Sequence, residues 1–262
     1  MIPKKIHYCW FGNNPLPKSV KKCIKSWKKI CPDYEIIEWN ESNYDVHTNK
    51  YMESAYKEKK WGFVPDYARL EIIYKYGGIY LDTDVQVIKK FDDLLKHKSF
   101  FGFEDDGKKG FFVALGLGFA AEAGNPLIEK LLDSYKDLSF YKKDGSLNLI
   151  PSPQLNSKVF EEYGFLMNNQ IQDIDNNLVF PNDYFDPKSY ISGNLKITEN
   201  TYSIHHYDAS WLDKQKKEEL LLYRKAEKRY RIREKIIHFP NRITKRIIGE
   251  SRYNRIKKKV KK

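Results

Sequence analysis

FVPDYARLEIIYKYGGIYLDTD, residues 63–84, is the stretch on which the reading of this chain turns. From Pro65 to Tyr76 the apolar positions Tyr67, Leu70, Ile73 and Tyr74 recur at helical spacing. Pro65 suits a first helical turn, and Gly77-Gly78 suits a C-cap. Ile79-Tyr80-Leu81 then reads as a short buried strand that delivers Asp82 and Asp84, one residue apart. An open α/β sheet puts its ligands just beyond the carboxyl ends of its strands. Hard divalent cations want oxygen ligands there and commonly bridge carboxylates to substrate phosphates. The spacing therefore predicts a metal–diphosphate site. One helix back, Asp66 and Arg69 stand at i, i+3 and share a face. That pair is either a surface ion pair or a couple aimed over the strand end, with Arg69 meeting phosphate and Asp66 accepting hydroxyl protons.

Working outward, Ile6 to Phe11 reads as a first buried strand and Ser19 to Lys29 as a helix with Val20, Ile24 and Trp27 on one stripe. Tyr34 to Trp39 is a second strand. Strand, helix, strand at this spacing is a βαβ unit, which implies parallel pairing and a right-handed crossover. Past Asp84, Phe100–Phe103 and Gly116–Ala121 read as strands, Asn125–Tyr135 as a helix and Thr201–Tyr207 as a last strand. Residues 136–200 are turn-rich and carry no clear period. The order predicts an α/β fold whose mixed central sheet has a parallel half, with flanking helices and a basic helical tail.

Composition narrows the class. A chain of 262 residues with 41% hydrophobic and 15% aromatic content can bury a sizeable core. No run reaches the ~18–20 apolar residues of a membrane span, and MIPKKIHYCWFG lacks a signal-peptide pattern. Cys9, Cys23 and Cys31 fit neither a disulfide framework nor a zinc pattern, and read as buried reduced thiols. The net charge of +12 is unevenly spread. Residues 214–262 hold 20 Lys and Arg against 5 Asp and Glu, whereas 1–213 hold 27 against 30. The expected division is accordingly a domain over 1–213 and a basic amphipathic helical tail over 214–262.

Four blocks in order, IPKKIHYCWFG, CPDYEIIEWNE, FVPDYARLEIIYKYGGIYLDTD and IHHYDASW, resemble glycosyltransferase family 32, which carries the DXD sugar-binding region. The third block is also similar to the glucosyltransferase domains of large clostridial toxins. The resemblance runs from about residue 2 to 212 and leaves the tail uncovered. It implies a GT-A fold, Mn²⁺ or Mg²⁺ as cofactor, and retaining transfer of a hexosyl group from a nucleotide-sugar donor. A UDP-sugar is favoured, with GDP-mannose as second candidate, and the acceptor is a glycan or lipid-linked saccharide of surface or capsular polysaccharide synthesis.

By position the resemblance makes Asp84 the direct metal ligand and Asp82 a contact to ribose, sugar and metal shell. Asp66 and Arg69 hold the donor sugar, and Trp10 stacks on the base. His206 is the late metal ligand, and Ser210 and Trp211 close over the diphosphate. Neighbours on a strand face opposite ways, so His205 takes a packed, hydrogen-bonded role instead. Ala209 departs from the glycine of many relatives. Glu104, Asp105 and Gln154 are the open candidates for a group on the β-face of the sugar.

In the tail, Leu220 to Leu222, Ile232, Ile236, Ile237, Ile243, Ile247 and Ile248 alternate with dense Lys and Arg. That pattern suits an anionic membrane face. The expectation is a cytoplasmic protein, peripheral on the inner face of the cell membrane. Two other classes fit less well. A haloacid-dehalogenase-type phosphatase carries its Asp-x-Asp near the start of its domain with Thr or Val two residues on, where this chain has Gln86. Nucleic-acid binding, suggested by a pI of 9.3, conflicts with the acidic balance of residues 1–213.

Overall fold

The structure is a computed structural model that describes residues 1–105, 107, 110–208 and 214–248, with side chains for all of these except 214 and 235–248. Two compact units account for the chain: residues 1–190 with 195–213, and residues 191–194 with 214–262.

The first unit begins with the βαβ unit that the apolar spacing predicts. β1 (Lys5–Cys9) leads through α1 (Lys18–Ile30) to β2 (Glu35–Trp39), which pairs with it in parallel. α1 buries Val20, Cys23, Ile24 and Trp27 on one side. α2 (Lys50–Lys57) follows, its first turn capped by the Asn49 side chain. α3 (Val64–Tyr76) buries Val64, Asp66, Ala68, Arg69, Leu70, Ile72 and Ile73. A helix apolar on nearly every side belongs inside a structure.

Gly77 and Gly78 end α3 at φ of 62° and 112°. A Cβ on Gly78 would sit 2.8 Å from His7 Nε2, and one on Gly77 would sit 2.9 Å from the Ala123 backbone nitrogen. Both positions need glycine for conformation and for space. β3 (Gly78–Tyr80) then runs parallel to β1.

β4 (Val85–Val87), β5 (Ser99–Asp105), β6 (Phe111–Val113), a 3₁₀ turn at Leu115–Leu117 and β7 (Phe119–Ala121) come next. α4 (Pro126–Asp133) and α5 (Ser152–Tyr163) precede β8 (Gln172–Ile174), β9 (Asn177–Phe180), α6 (Asn182–Phe185) and β10 (Ser203–His205). The main sheet runs β2-β1-β3-β7-β5-β9-β8, with β6 paired to β5. β7 and β8 are antiparallel to their neighbours, while β5 and β9 pair in parallel. The sheet is mixed and flanked by helices on both faces. One core cluster holds α2 to α5; the other holds α1, β4 and Phe185. β4 and β10 form a separate antiparallel ladder, Val85 opposite His205 and Gln86 opposite Ile204.

The second unit is α7 (Lys214–Ile248), a single 35-residue helix, with the short segment Ile191–Asn194.

Candidate active site

β1, β2, β3, β5 and β9 all point the same way, so their carboxyl ends share one edge of the sheet, and β7 enters that edge from its 3₁₀ turn. Asp82 and Asp84 leave β3 there. β10 runs back along β4 and returns His205 to the same place. One ligand atom each from Asp82, Asp84 and His205 lies within 4.8 Å of the others.

His205 Nε2 is 3.0 Å from Asp84 Oδ1. The backbone N–H of Asp208 donates to Asp84 Oδ2 at 2.8 Å. Burial works to raise the Asp84 carboxyl, but the His205 cation and the Asp208 N–H prevail and hold it at about 2. Burial likewise opposes charge on His205, yet Asp84 lifts the imidazole to about 9. Asp82 differs: burial raises its carboxyl, Arg69 lowers it and Asp84 raises it again, and the balance is upward.

α3 supplies the second half of the site. Arg69 pairs with Asp66 through Nη2, and its Nη1 is 3.5 Å from Asp82 Oδ1. Nη2 also donates to Ser152 Oγ at 2.8 Å, at the start of α5. The arginine thus ties α3 and α5 to the strand end, with Asp66 and Arg69 4% and 3% exposed. The pair is internal, so the surface-ion-pair alternative falls away. Burial pushes the Asp66 carboxyl up to about 6 against the pull of Arg69. Gly116 completes the cradle: a Cβ there would lie 2.4 Å from Asp82 Oδ2. The bare backbone of the turn before β7 is what admits the carboxylate.

A second group of acids borders the first. Glu104, at the end of β5, is pushed up to about 7 by burial, with His205 opposing and Asp82 adding to the rise. Asp186 is 3% exposed. Burial, then the field of Glu104, raise its carboxyl well above normal, while the Tyr207 hydroxyl faces it.

One expectation is corrected. His206 does not join the carboxylates; its Nε2 is 3.0 Å from Gln86 Oε1, and His205 stands with Asp82 and Asp84 instead. The ladder gives the reason. Residues 204 and 206 share a face with Gln86, opposite Ile204, while His205 stands opposite Val85 on the other face. The turn at 82–84 brings the Asp84 carboxylate round to that face. Trp10 follows β1 on the site's edge, half-buried, with Nε1 donating to the Asn14 carbonyl at 2.6 Å. Gln154 is exposed on α5, whereas Glu104 and Asp105 are half-buried at the strand end. Ser210 and Trp211 lie outside the described residues.

Residues 17–101 match the family described as the glycosyltransferase sugar-binding region containing the DXD motif. Asp82-Thr83-Asp84 is that motif in this chain, and the matched span also holds Asp66 and Arg69. Inositol phosphoceramide mannosyltransferase 3 of Schizosaccharomyces pombe is 34% identical over 104 residues, 37% of this chain and 28% of that one. Subversion of eukaryotic traffic protein A of Legionella pneumophila is 25% identical over 119 residues, 35% of this chain and 18% of its own length. The chain thus spans under a third of either relative. Among solved structures, the PaToxG glycosyltransferase superposes with a TM-score of 0.48 and 21% identity, over 62% of this chain and 70% of that one.

Ser152, Gly116, Asp186 and Tyr207 are site residues that the sequence reading does not reach. Gly116, within the LGLG run, carried the only local signal. The others come in through packing: Ser152 meets Arg69 at the start of α5, Asp186 after α6 lies by Glu104 and Tyr207, and Tyr207 after β10 lies by His205.

The donor set fits a divalent cation. Two carboxylates and an imidazole suit Mn²⁺ and accommodate Mg²⁺, and three protein ligands leave room for phosphate oxygens.

Proposed function

We propose that this chain is a metal-dependent GT-A glycosyltransferase that moves a hexosyl group, with retention, from a nucleotide sugar to a glycan or lipid-linked acceptor. The observation that carries this reading is the convergence of Asp82, Asp84 and His205 at the end of β3, with Arg69 joining Asp82 to Asp66, inside a span matching the DXD region. A divalent cation bound to Asp82, Asp84 and His205 supplies Lewis acidity for a departing nucleoside diphosphate. Arg69 adds fixed positive charge where negative charge develops, and its burial makes that charge effective. Asp66, locked by Arg69, accepts hydroxyl protons of the transferred sugar. Trp10 offers an aromatic face for the base, worth ~1–3 kcal/mol in stacking.

UDP-sugars are the first donor candidates. The relative named as an inositol phosphoceramide mannosyltransferase supports testing GDP-mannose beside them. Surface polysaccharide assembly on the cytoplasmic side of the membrane is the setting that fits such a transfer.

The test is release of nucleoside diphosphate from a panel of UDP-hexoses, UDP-N-acetylhexosamines and GDP-mannose, with Mn²⁺, Mg²⁺ or chelator. Release from one donor, dependent on the cation and abolished by Asp84→Ala, is expected. Absence of both turnover and Mn²⁺-dependent nucleotide binding across the panel sinks the reading. Proton coupling at the anomeric centre of the product checks retention.

A further inference from the structure

α7 is built the wrong way round for a helix in water. Lys217, Leu220, Arg224, Glu227, Arg231 and Glu234 are its half-buried positions, and they recur at three- and four-residue intervals along one side. Five of those six are charged. The segment Ile191–Asn194 covers part of that side. Arg231 Nη2 donates to the Ser192 carbonyl at 3.0 Å, and a Cβ on Gly193 would lie 3.4 Å from Arg224 Cδ. The open side carries Leu221, Leu222, Tyr223, Tyr230 and Ile232, at 45%, 65%, 51%, 60% and 49% exposure. A surface helix ordinarily turns its apolar stripe inward; here the exposed apolar side chains are spread round the open side and interleaved with basic ones, the pattern of a basic interfacial helix.

We propose that this face of α7 docks on an anionic lipid bilayer. Leu221, Leu222 and Ile232 enter the acyl boundary, and Tyr223 and Tyr230 sit at headgroup level, where amphipathic rings concentrate. Lys225, Arg229 and Arg233 are exposed among them. Their alkyl stems lie along the apolar surface while their charges reach lipid phosphates. Charge decides between occupants. Residues 214–262 carry 20 basic against 5 acidic groups, so two copies would meet with like charges opposed, whereas an anionic leaflet attracts them. Nucleic acid would satisfy the charge but leave Leu222 and Ile232 without a partner. Among the described residues no helix is long and apolar enough to cross a membrane, so α7 lies along the surface. The inference is independent of which donor the active site takes.

Co-sedimentation of the full chain with phosphatidylcholine vesicles, with and without phosphatidylglycerol, tests it. Binding is expected only to the anionic vesicles and should weaken as salt is raised. The double variant Leu222→Glu, Tyr230→Glu and the triple variant Lys225→Glu, Arg229→Glu, Arg233→Glu should each lose at least about tenfold in partitioning. These side chains are exposed, so circular dichroism and melting temperature should stay at wild-type values and exclude misfolding. Equal binding to neutral vesicles overturns the proposal, as does unchanged vesicle binding in the Leu222/Tyr230 variant. No vesicle binding, coupled either to a dimer that Leu222→Glu dissolves or to DNA retention that only the triple variant loses, assigns the face to another partner.

Discussion

Neighbouring residues in this site differ in role because of ladder geometry and small changes of volume. His205 and His206 share chemistry and sit side by side, yet only His205 reaches the carboxylates. Calorimetric Mn²⁺ titration should show this: His205→Ala is expected to weaken binding at least tenfold, while His206→Ala keeps near wild-type affinity and loses ~1 kcal/mol of stability with its Gln86 contact. Equal losses in the two variants would refute the ligand assignment. Gly116→Ala probes the same site from the other side. Its Cβ would need Asp82 Oδ2, now 2.4 Å away, to move, and that oxygen's carboxylate is tethered by Arg69. Overpacking of this kind costs ~1–3 kcal/mol. The Mn²⁺ dissociation constant should rise about 10- to 100-fold, as for other changes to the support of a metal ligand. Wild-type affinity in Gly116→Ala would mean that the Asp82 carboxylate has slack.

At the scale of elements, the joint between α3 and β3 carries the site. Gly78→Ala is expected to cost ~1–3 kcal/mol in urea unfolding, from positive-φ strain and the clash with His7; a change under 0.5 kcal/mol would show that this corner can relax. That joint was legible in the sequence because local signals agreed there: Pro65 at the start, helical spacing through Tyr74, Gly77-Gly78 at the stop and an apolar triplet after it. The βαβ unit was legible for the same reason. The stretch 136–200 was not. α5 begins between two prolines and buries the polar Ser152, Asn156 and Ser157, so no apolar period announces it. β8 and β9 have three or four residues each, too short for alternation to emerge. The His205/His206 choice has another cause. Strand alternation puts the two histidines on opposite faces, but which of them meets the carboxylates is fixed by the register of β10 with β4, a long-range pairing that no local pattern encodes.

Over the whole molecule, the titrating groups predict how the metal-free protein responds to pH. Burial raises Asp66 to about 6 and Glu104 to about 7 from ordinary values near 4, and Asp82 and Asp186 also move upward. A carboxyl raised by folding binds more protons in the native state, so its contribution is present below the unfolded pKa and is lost as pH climbs through the folded one. His205, raised to about 9, contributes in the same sense between pH 6.5 and 9. His7 opposes them. It is fully buried, its Nδ1 accepts from Trp39 Nε1 and its Nε2 faces the Gly77 carbonyl. Burial lowers it to about 4, so its contribution grows from pH 4 to 6.5. His206, lowered by burial and by Lys188, opposes them in the same sense. Two imidazoles against the several raised groups leave a net fall in metal-free stability from about pH 4.5 to 9. A divalent cation at Asp82, Asp84 and His205 would replace those site protons, and its binding should strengthen as they leave. Melting curves in chelator should therefore decline across this range. The gain in melting temperature from saturating Mn²⁺ should widen towards pH 9, and His205→Ala should flatten the alkaline part of both trends. A Mn²⁺-induced gain that stays constant or shrinks as pH rises would mean that the cation does not compete with the His205 proton, and the site would have to be reassigned to the carboxylates without the imidazole.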